Sequence, residues 1–565
     1  MEKRAVLAAL LMAGLLILYQ FLFVKAPETP PQGAQEQKQA APVVPAPPSS
    51  AVVGSPPPMP VPPKEPPSVL DRRAVVETPL YRAVIDSRGA RFETWTLHYR
   101  GEKPMVVNGV LGPWGLTVSR GGVAGQPIAF SVSAESLKLG ADTPQGEIKL
   151  TGEDGFGLQV TETLRFRADT YVVEHVLRVE NRHTVAQSAE ITLGWRAVAE
   201  WPKEETQKFQ GQHPIRTVRL AGGAVRREDV VKVAPYQGMG QWVGLESDWY
   251  LTAFIPQGAN IQLTEAKPTE SRPGTAKPSE SAEVGLRASP PLLGPGESWE
   301  GRVLTYIGPK EYARLKALNV GLEKSIYFGG FPLPQAYGGL PMEWLAVPIL
   351  QLMHWIYGYT GNYGVAIILL TVLTKVLFFP LTIKSMASMK AMQALQPQIN
   401  ALRSKYKSDS QRMQQETMAL YRTHKVNPLG GCLPMVVQIP IFYALYVALS
   451  VSVELQNQPF ICVGRVFGMN LWICDMAAQD PTYVLPLLMG ASMFVQQKIT
   501  PVMGDPRQAK MMLFMPIVFT FMFLNLPAGL VLYWTLSNVL QIGQQKYMEH
   551  RGKAEKVPAR APKKA

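Results

Sequence analysis

Lys375 is the residue whose setting most nearly demands a chemical role. It is the only charge in the apolar run Gly364–Ile383, and Lys384 follows nine positions later. On a helix that spacing puts Lys375 about 13 Å from the end of the run. A lysine at such depth in lipid costs a few kcal/mol unless it faces a polar cavity or a partner, and its stem of about 6 Å is too short to carry the ammonium to the interface. No Asp or Glu in any apolar run neutralises it. The chemistry that remains is recognition by a fixed positive charge in a wet groove, open to an anionic or polar guest. Thr371, one turn earlier, and Gln438, Gln496, Tyr533, Ser537, Asn538 and Gln541 in neighbouring runs are polar enough to line such a groove. The same residue types also serve as interhelical hydrogen-bonding groups.

Other chemistry finds little support. There is no P-loop, HExxH, GxSxG or dinucleotide fingerprint, so no cofactor is expected. His98, His175, His183 and His213 are scattered, and the surrounding carboxylates do not cluster in sequence. Three cysteines rule out a disulfide-framework fold, and no CxxC or Cys/His cluster suggests zinc. Cys462 and Cys474 fall in a segment expected outside the cell membrane, where a disulfide is permitted; a bridge and two free thiols both stay open.

The elements that must position Lys375 follow from composition along the chain. Ala5–Val24 is 20 uncharged residues behind Lys3 and Arg4, long enough to span a bilayer, and is read as an uncleaved anchor over a cleaved signal peptide. Residues 27–67 hold 15 prolines and read as an extended tether. From about Val69 to Pro309, period-2 alternation in Leu158–Phe166 and Tyr171–Val179, with further strands near Arg82–Val84, Ala189–Val198 and Trp249–Phe254, predicts an antiparallel β-sandwich. Glu265–Gly296 reads as a long loop, and Pro309–Lys324 as a helix leaving the sandwich. Pro341–Tyr357 is too short to span; Leu345, Ile349, Leu352 and Ile356 at helical spacing, with Trp344, Trp355 and Tyr357, predict an interfacial helix. Gly364–Ile383, Leu429–Val453, Thr482–Gln497 and two spans within Met511–Ile542, broken at Asn525–Gly529, bring the expected total to six.

Charge sets the orientation. The chain of 565 residues carries a net +13, which by itself suggests a nucleic-acid partner. Lys384–Lys425 has eight basic against two acidic residues, Lys498–Lys510 three against one and Lys546–Ala565 seven against two, whereas Lys25–Tyr363 has 34 of each. Short basic loops stay cytoplasmic. Both termini are therefore expected inside and the β-domain and Glu454–Pro481 outside. The cytoplasmic stretch 385–425 reads as a basic helical hairpin, with Met386, Met389, Met392, Leu395, Ile399 and Leu402 on one arm and Met413, Met418 and Leu420 on the other. Methionine surfaces adapt to varied apolar partners.

Six segments, in order and at matching spacing, carry a resemblance. Gly361-Asn-Tyr-Gly364, Leu395-Gln-Pro397, Lys425-Val-Asn-Pro-Leu-Gly-Gly-Cys432, Gln438-Ile-Pro-Ile-Phe442, Ala478-Gln-Asp-Pro481 and Gly529-Leu-Val-Leu-Tyr-Trp534 resemble the YidC/Oxa/Alb family of membrane protein insertases over 361–547. The anchor, linker and outer domain are similar to its Gram-negative form. The resemblance implies an α-helical membrane core of six transmembrane helices plus an all-β periplasmic supersandwich similar to galactose mutarotase. It implies insertion of nascent membrane proteins into the lipid bilayer without nucleotide hydrolysis, alone or with the Sec translocon, and no enzymatic activity. It places Lys375, Thr371, Gln438, Tyr533, Trp534, Ser537 and Asn538 in a groove open to cytoplasm and lipid, gives the methionine hairpin a role in client recruitment, and lets the basic tail meet the ribosome. The location implied is the bacterial inner membrane. The implied domains are an anchor (1–26), a linker (27–68), the β-domain (69–324), a connector with the interfacial helix (325–360), the core (361–548) and a tail (549–565). The family usually has Arg where this chain has Lys375, so charge is kept and the planar fork is lost. The loop between Phe460 and Leu471, which holds Cys462, looks longer than in close members of that family. A sugar-processing β-domain and a channel or transporter are the competing readings.

Overall fold

The computed structural model describes residues 72–554 apart from 100, 107–114, 121–122, 199–215, 259, 268–280, 332–338, 407–408, 425, 428–432, 467–468 and 500–505. The expected anchor, the linker and the tail beyond 554 lie outside the described residues, as do His213, Lys425 and Cys432.

From Arg73 to Pro309 the described chain is built from strands in sheets of five, nine and six. Leu158–Arg167 pairs antiparallel with Val172–Asn181, closing the hairpin read from the alternation. Leu158, Val160, Leu164 and Phe166 point inward and are fully buried, while Arg165 and Arg167 point outward. Aromatic contacts join the sheets: Trp195 of the six-stranded sheet meets Phe254 of the nine-stranded sheet at 5.5 Å, and Phe92 of the five-stranded sheet at 6.1 Å. The segment read as one long loop, Glu265–Gly296, is partly sheet. Ser281–Ala288 is a strand between Ile261–Ala266 and Glu190–Val198. It is covered on both faces, so its sequence shows no alternation to read.

Among the described residues the helices are α1 (Tyr312–Ala317), α2 (Glu343–Thr360), α3 (Tyr363–Leu377), α4 (Phe379–Lys405), α5 (Ser410–Thr423), α6 (Leu433–Val451), α7 (Val484–Ile499), α8 (Pro506–Phe523) and α9 (Ala528–Ala554). The helix expected over Pro309–Lys324 is confined to α1 and a 3-10 turn at Leu322–Ser325. α9 packs on α3, α6 and α7; α8 packs on α7; α2 packs on α3 and α6. Among these helices no single one is long and apolar enough to cross a membrane, but α3 and α4, bent by 58°, pass that test as a pair. Pro380, at the start of α4, has no N–H to continue the ladder, and the chain bends there.

The motif Gly361-Asn-Tyr-Gly364 has a local explanation. Gly361 ends α2 at φ 64°, a left-handed conformation that glycine adopts freely. The Asn362 side chain then accepts from the backbone N–H groups of Gly364 and Val365, capping α3. Its amide donates to the Phe460 carbonyl at 3.0 Å, and any Cβ at residue 364 would overlap the Phe460 ring. Asp480 likewise caps α7, accepting from Thr482 and Leu485 while almost fully buried.

Candidate functional site

Lys375 lies on the last turn of α3, half-buried, and its Nζ donates to Gln541 Oε1 of α9 at 3.2 Å. Among the described residues no carboxylate pairs with it. α9 carries the polar stripe that surrounds this contact. Ser537, one turn before Gln541, accepts from Gln438 Nε2 of α6 at 3.3 Å, and Asn538 donates to Ser492 Oγ of α7 at 3.1 Å. Gln545, one turn beyond, donates to the Ile499 carbonyl at 2.7 Å. Residues 537, 538, 541 and 545 share one helix face, and that face meets α3, α6 and α7 in turn.

The expected lining residues separate into groups. Lys375, Gln438, Ser537 and Asn538 come together through α9, with Tyr533 meeting the Gln438 and Thr374 side chains. Trp534 is half-buried in an aromatic cluster, 4.5 Å from Phe442 and 5.0 Å from Phe523. Thr371 is fully buried and donates to the Ile367 carbonyl of its own helix at 2.6 Å, so its hydroxyl serves α3. Ser492 and Gln545 were not singled out from sequence, although the i, i+4 spacing of Gln545 from Gln541 was a signal that could have found the second.

On the hairpin, Met386 and Met392 are buried along α4 with Leu395 and Ile399, Met389 and Met413 are half-buried, and Met418 on α5 is 42% exposed. Cys462 and Cys474 are joined by a disulfide across the strands Ile461–Val466 and Met469–Ile473. On α2 one face is buried through Ala346, Ile349, Leu350, Met353 and Ile356, and Trp344, Trp355 and Tyr359 are exposed on the other. Tyr357, expected at the surface, instead stacks on Tyr363 at 4.1 Å and donates to Gln458.

Among the described residues of the β-domain the scattered histidines do not come together. His175 is buried; its Nδ1 donates to Glu162 Oε1 at 2.7 Å and its Nε2 meets Thr305 Oγ1 at 3.0 Å. Glu162 and Thr305 are fully buried with it, so a carboxylate and a histidine converge where no substrate can enter.

A family model described as 60Kd inner membrane protein matches residues 355–556, and one described as YidC periplasmic domain matches 73–351. The membrane protein insertase YidC of Syntrophus aciditrophicus is 37% identical over 97% of this chain and 99% of its own length. The chain belongs to the YidC family of insertases. The membrane protein insertase YidC of Geotalea daltonii is 36% identical, again over 97% of this chain and 99% of its own. A solved structure, titled as an active YidC insertase with the first transmembrane domain resolved, covers 84% of this chain and 95% of its own at 18% identity, with a TM-score of 0.36. The family is one of bacterial inner-membrane insertases and not of enzymes, and the two parts of the chain are its periplasmic β-sandwich and its membrane-insertase core.

Proposed function

We propose that Lys375 and the polar stripe of α9 form the groove through which this chain inserts nascent membrane proteins. The observation that carries the reading is a half-buried lysine held by a neutral amide on a helix with exposed apolar neighbours. Val372, Leu373, Val376 and Leu377 on α3, and Phe514, Ile517, Val518 and Phe521 on α8, are exposed, an apolar belt that water would not tolerate on a soluble chain and that lipid covers. In the reading proposed, Ala5–Val24, the α3–α4 pair, α6, α7, α8 and α9 supply six crossings, with both termini and the 385–425 hairpin cytoplasmic and the β-domain periplasmic. The domain limits 1–26, 27–68, 69–324, 325–360, 361–548 and 549–565 belong to the same reading, as do cooperation with the Sec translocon and contact of the basic tail with ribosomes.

A polar groove shortens the hydrophobic path that a client's translocated segment crosses. Burial of the client's own apolar span, at roughly 25 cal/mol per Å², then drives insertion without a nucleotide. The test is insertion of a client with a charged translocated tail into vesicles carrying the full chain. Lys375→Ala and Lys375→Glu impair it, and Lys375→Arg supports it because charge matters more than the fork. Normal insertion by Lys375→Glu refutes the groove-charge mechanism.

A further inference from the structure

We propose that Gln541 is a specificity-determining residue, a neutral stand-in for the client that occupies Lys375 until an anionic group displaces it. The inference rests on Lys375 being the groove charge. Gln541 Oε1 accepts from Lys375 Nζ at 3.2 Å, and no other acceptor is bonded to that ammonium among the described residues. An amide oxygen holds a lysine without cancelling its charge. A carboxylate accepts the same hydrogen bond about twice as strongly, so an acidic side chain in a client's translocated segment wins the exchange, whereas an uncharged segment competes on equal terms. The neighbours on the stripe are already committed: Ser537 accepts from Gln438, Asn538 donates to Ser492, and Gln545 donates to Ile499. Gln541 is therefore the member of the stripe that can release its partner without undoing a helix–helix contact on α6 or α7. Its length also matters, since a shorter side chain at 541 would leave the ammonium unheld.

The chemistry predicts opposite behaviour for two substitutions. In Gln541→Glu the internal acceptor becomes a carboxylate and stays paired with Lys375, so the preference for acidic clients is lost. In Gln541→Leu nothing competes and the preference is retained or increased. The experiment reconstitutes the full chain in vesicles and measures insertion of two single-span clients that differ only in having an acidic or an uncharged translocated tail. The readout is the ratio of acidic-tail to neutral-tail insertion, which a general loss of folding does not move. The expected ratio falls about fivefold in Gln541→Glu, the effect of an ion pair worth about 1 kcal/mol. A ratio in Gln541→Glu equal to the parent's overturns the proposal. So does a ratio that falls as far in Gln541→Leu, which would make Gln541 a structural brace. If the parent chain itself shows no dependence on Lys375, the groove reading fails instead, and that outcome is seen in the Lys375→Ala arm alone.

Discussion

At the scale of single residues, the polar groups proposed to work differ from the polar groups that hold. Lys375 was legible because a lone charge in a 20-residue apolar run has no bland explanation. Thr371 turns its hydroxyl back to its own i−4 carbonyl, and nothing in the sequence distinguishes that from facing a groove. The His175–Glu162–Thr305 set holds: it lies on three strands adjacent in one sheet, and its second carboxylate oxygen, Oε2, has no hydrogen-bond partner among the described residues. Removing the histidine strands a buried carboxylate, a loss of about 3–5 kcal/mol. His175→Ala should thus lower the unfolding temperature of the β-domain, followed by tryptophan fluorescence of the full chain in detergent, and adding Glu162→Leu should recover part of the loss. Unchanged unfolding in the single variant would show that the pair contributes nothing.

Among the elements, helix crossings set the geometry more tightly than helix composition suggests. α7 and α8 approach at Gly490, where a Cβ would run into Thr520 Oγ1. That hydroxyl is already bonded to the Pro516 carbonyl at 2.7 Å, so it cannot swing away freely. Gly490→Ala should cost about 1–3 kcal/mol by overpacking, with Thr520→Ala relieving part of the cost; resistance to protease in micelles reports both. Equal resistance in Gly490→Ala and parent would mean that the helices simply move apart. The sequence located these helices through their apolar runs and the break at Asn525–Gly529, because length and hydropathy are local properties. It did not locate Ser281–Ala288, since a strand covered on both faces has no period-2 signal and a proline- and serine-rich approach disguises it. The partners of Tyr357 and Phe460 were equally invisible, as they depend on loops that meet only after folding.

For the whole molecule, a buried charge cluster fastens the exit of the β-domain. Glu246 receives Lys310 Nζ at 2.7 Å, and the Nε atoms of Arg216 and Arg227 stand 3.2 Å from its other oxygen as charge contacts without hydrogen-bond alignment. Arg227 also donates to the carbonyls of Lys324 and Ser325, which lead toward α2. Beyond them Trp249 Nε1 donates to the Ser450 carbonyl and the Tyr250 hydroxyl to Gln456, linking the sandwich to the C-terminal end of α6 and the turn after it. Burial alone would raise the Glu246 carboxyl, but Lys310, Arg227 and Arg216 outweigh it and hold the group below the ordinary carboxylate range. Its contribution to stability is complete above that range and is lost as pH falls through the depressed value. Acid unfolding of the β-domain should therefore be less steep in Glu246→Gln than in the parent, and parallel acid limbs would remove Glu246 from the account. The bend between α3 and α4 has a mechanical consequence. α4 runs 27 residues from the bend, about 40 Å, so it is a lever whose short arm carries Lys375. A swing of about 5° at that fulcrum displaces the far tip by about 3.5 Å over this length, yet scarcely shifts the lysine. The far end of α4 can thus shift while Lys375 stays in register with Gln541.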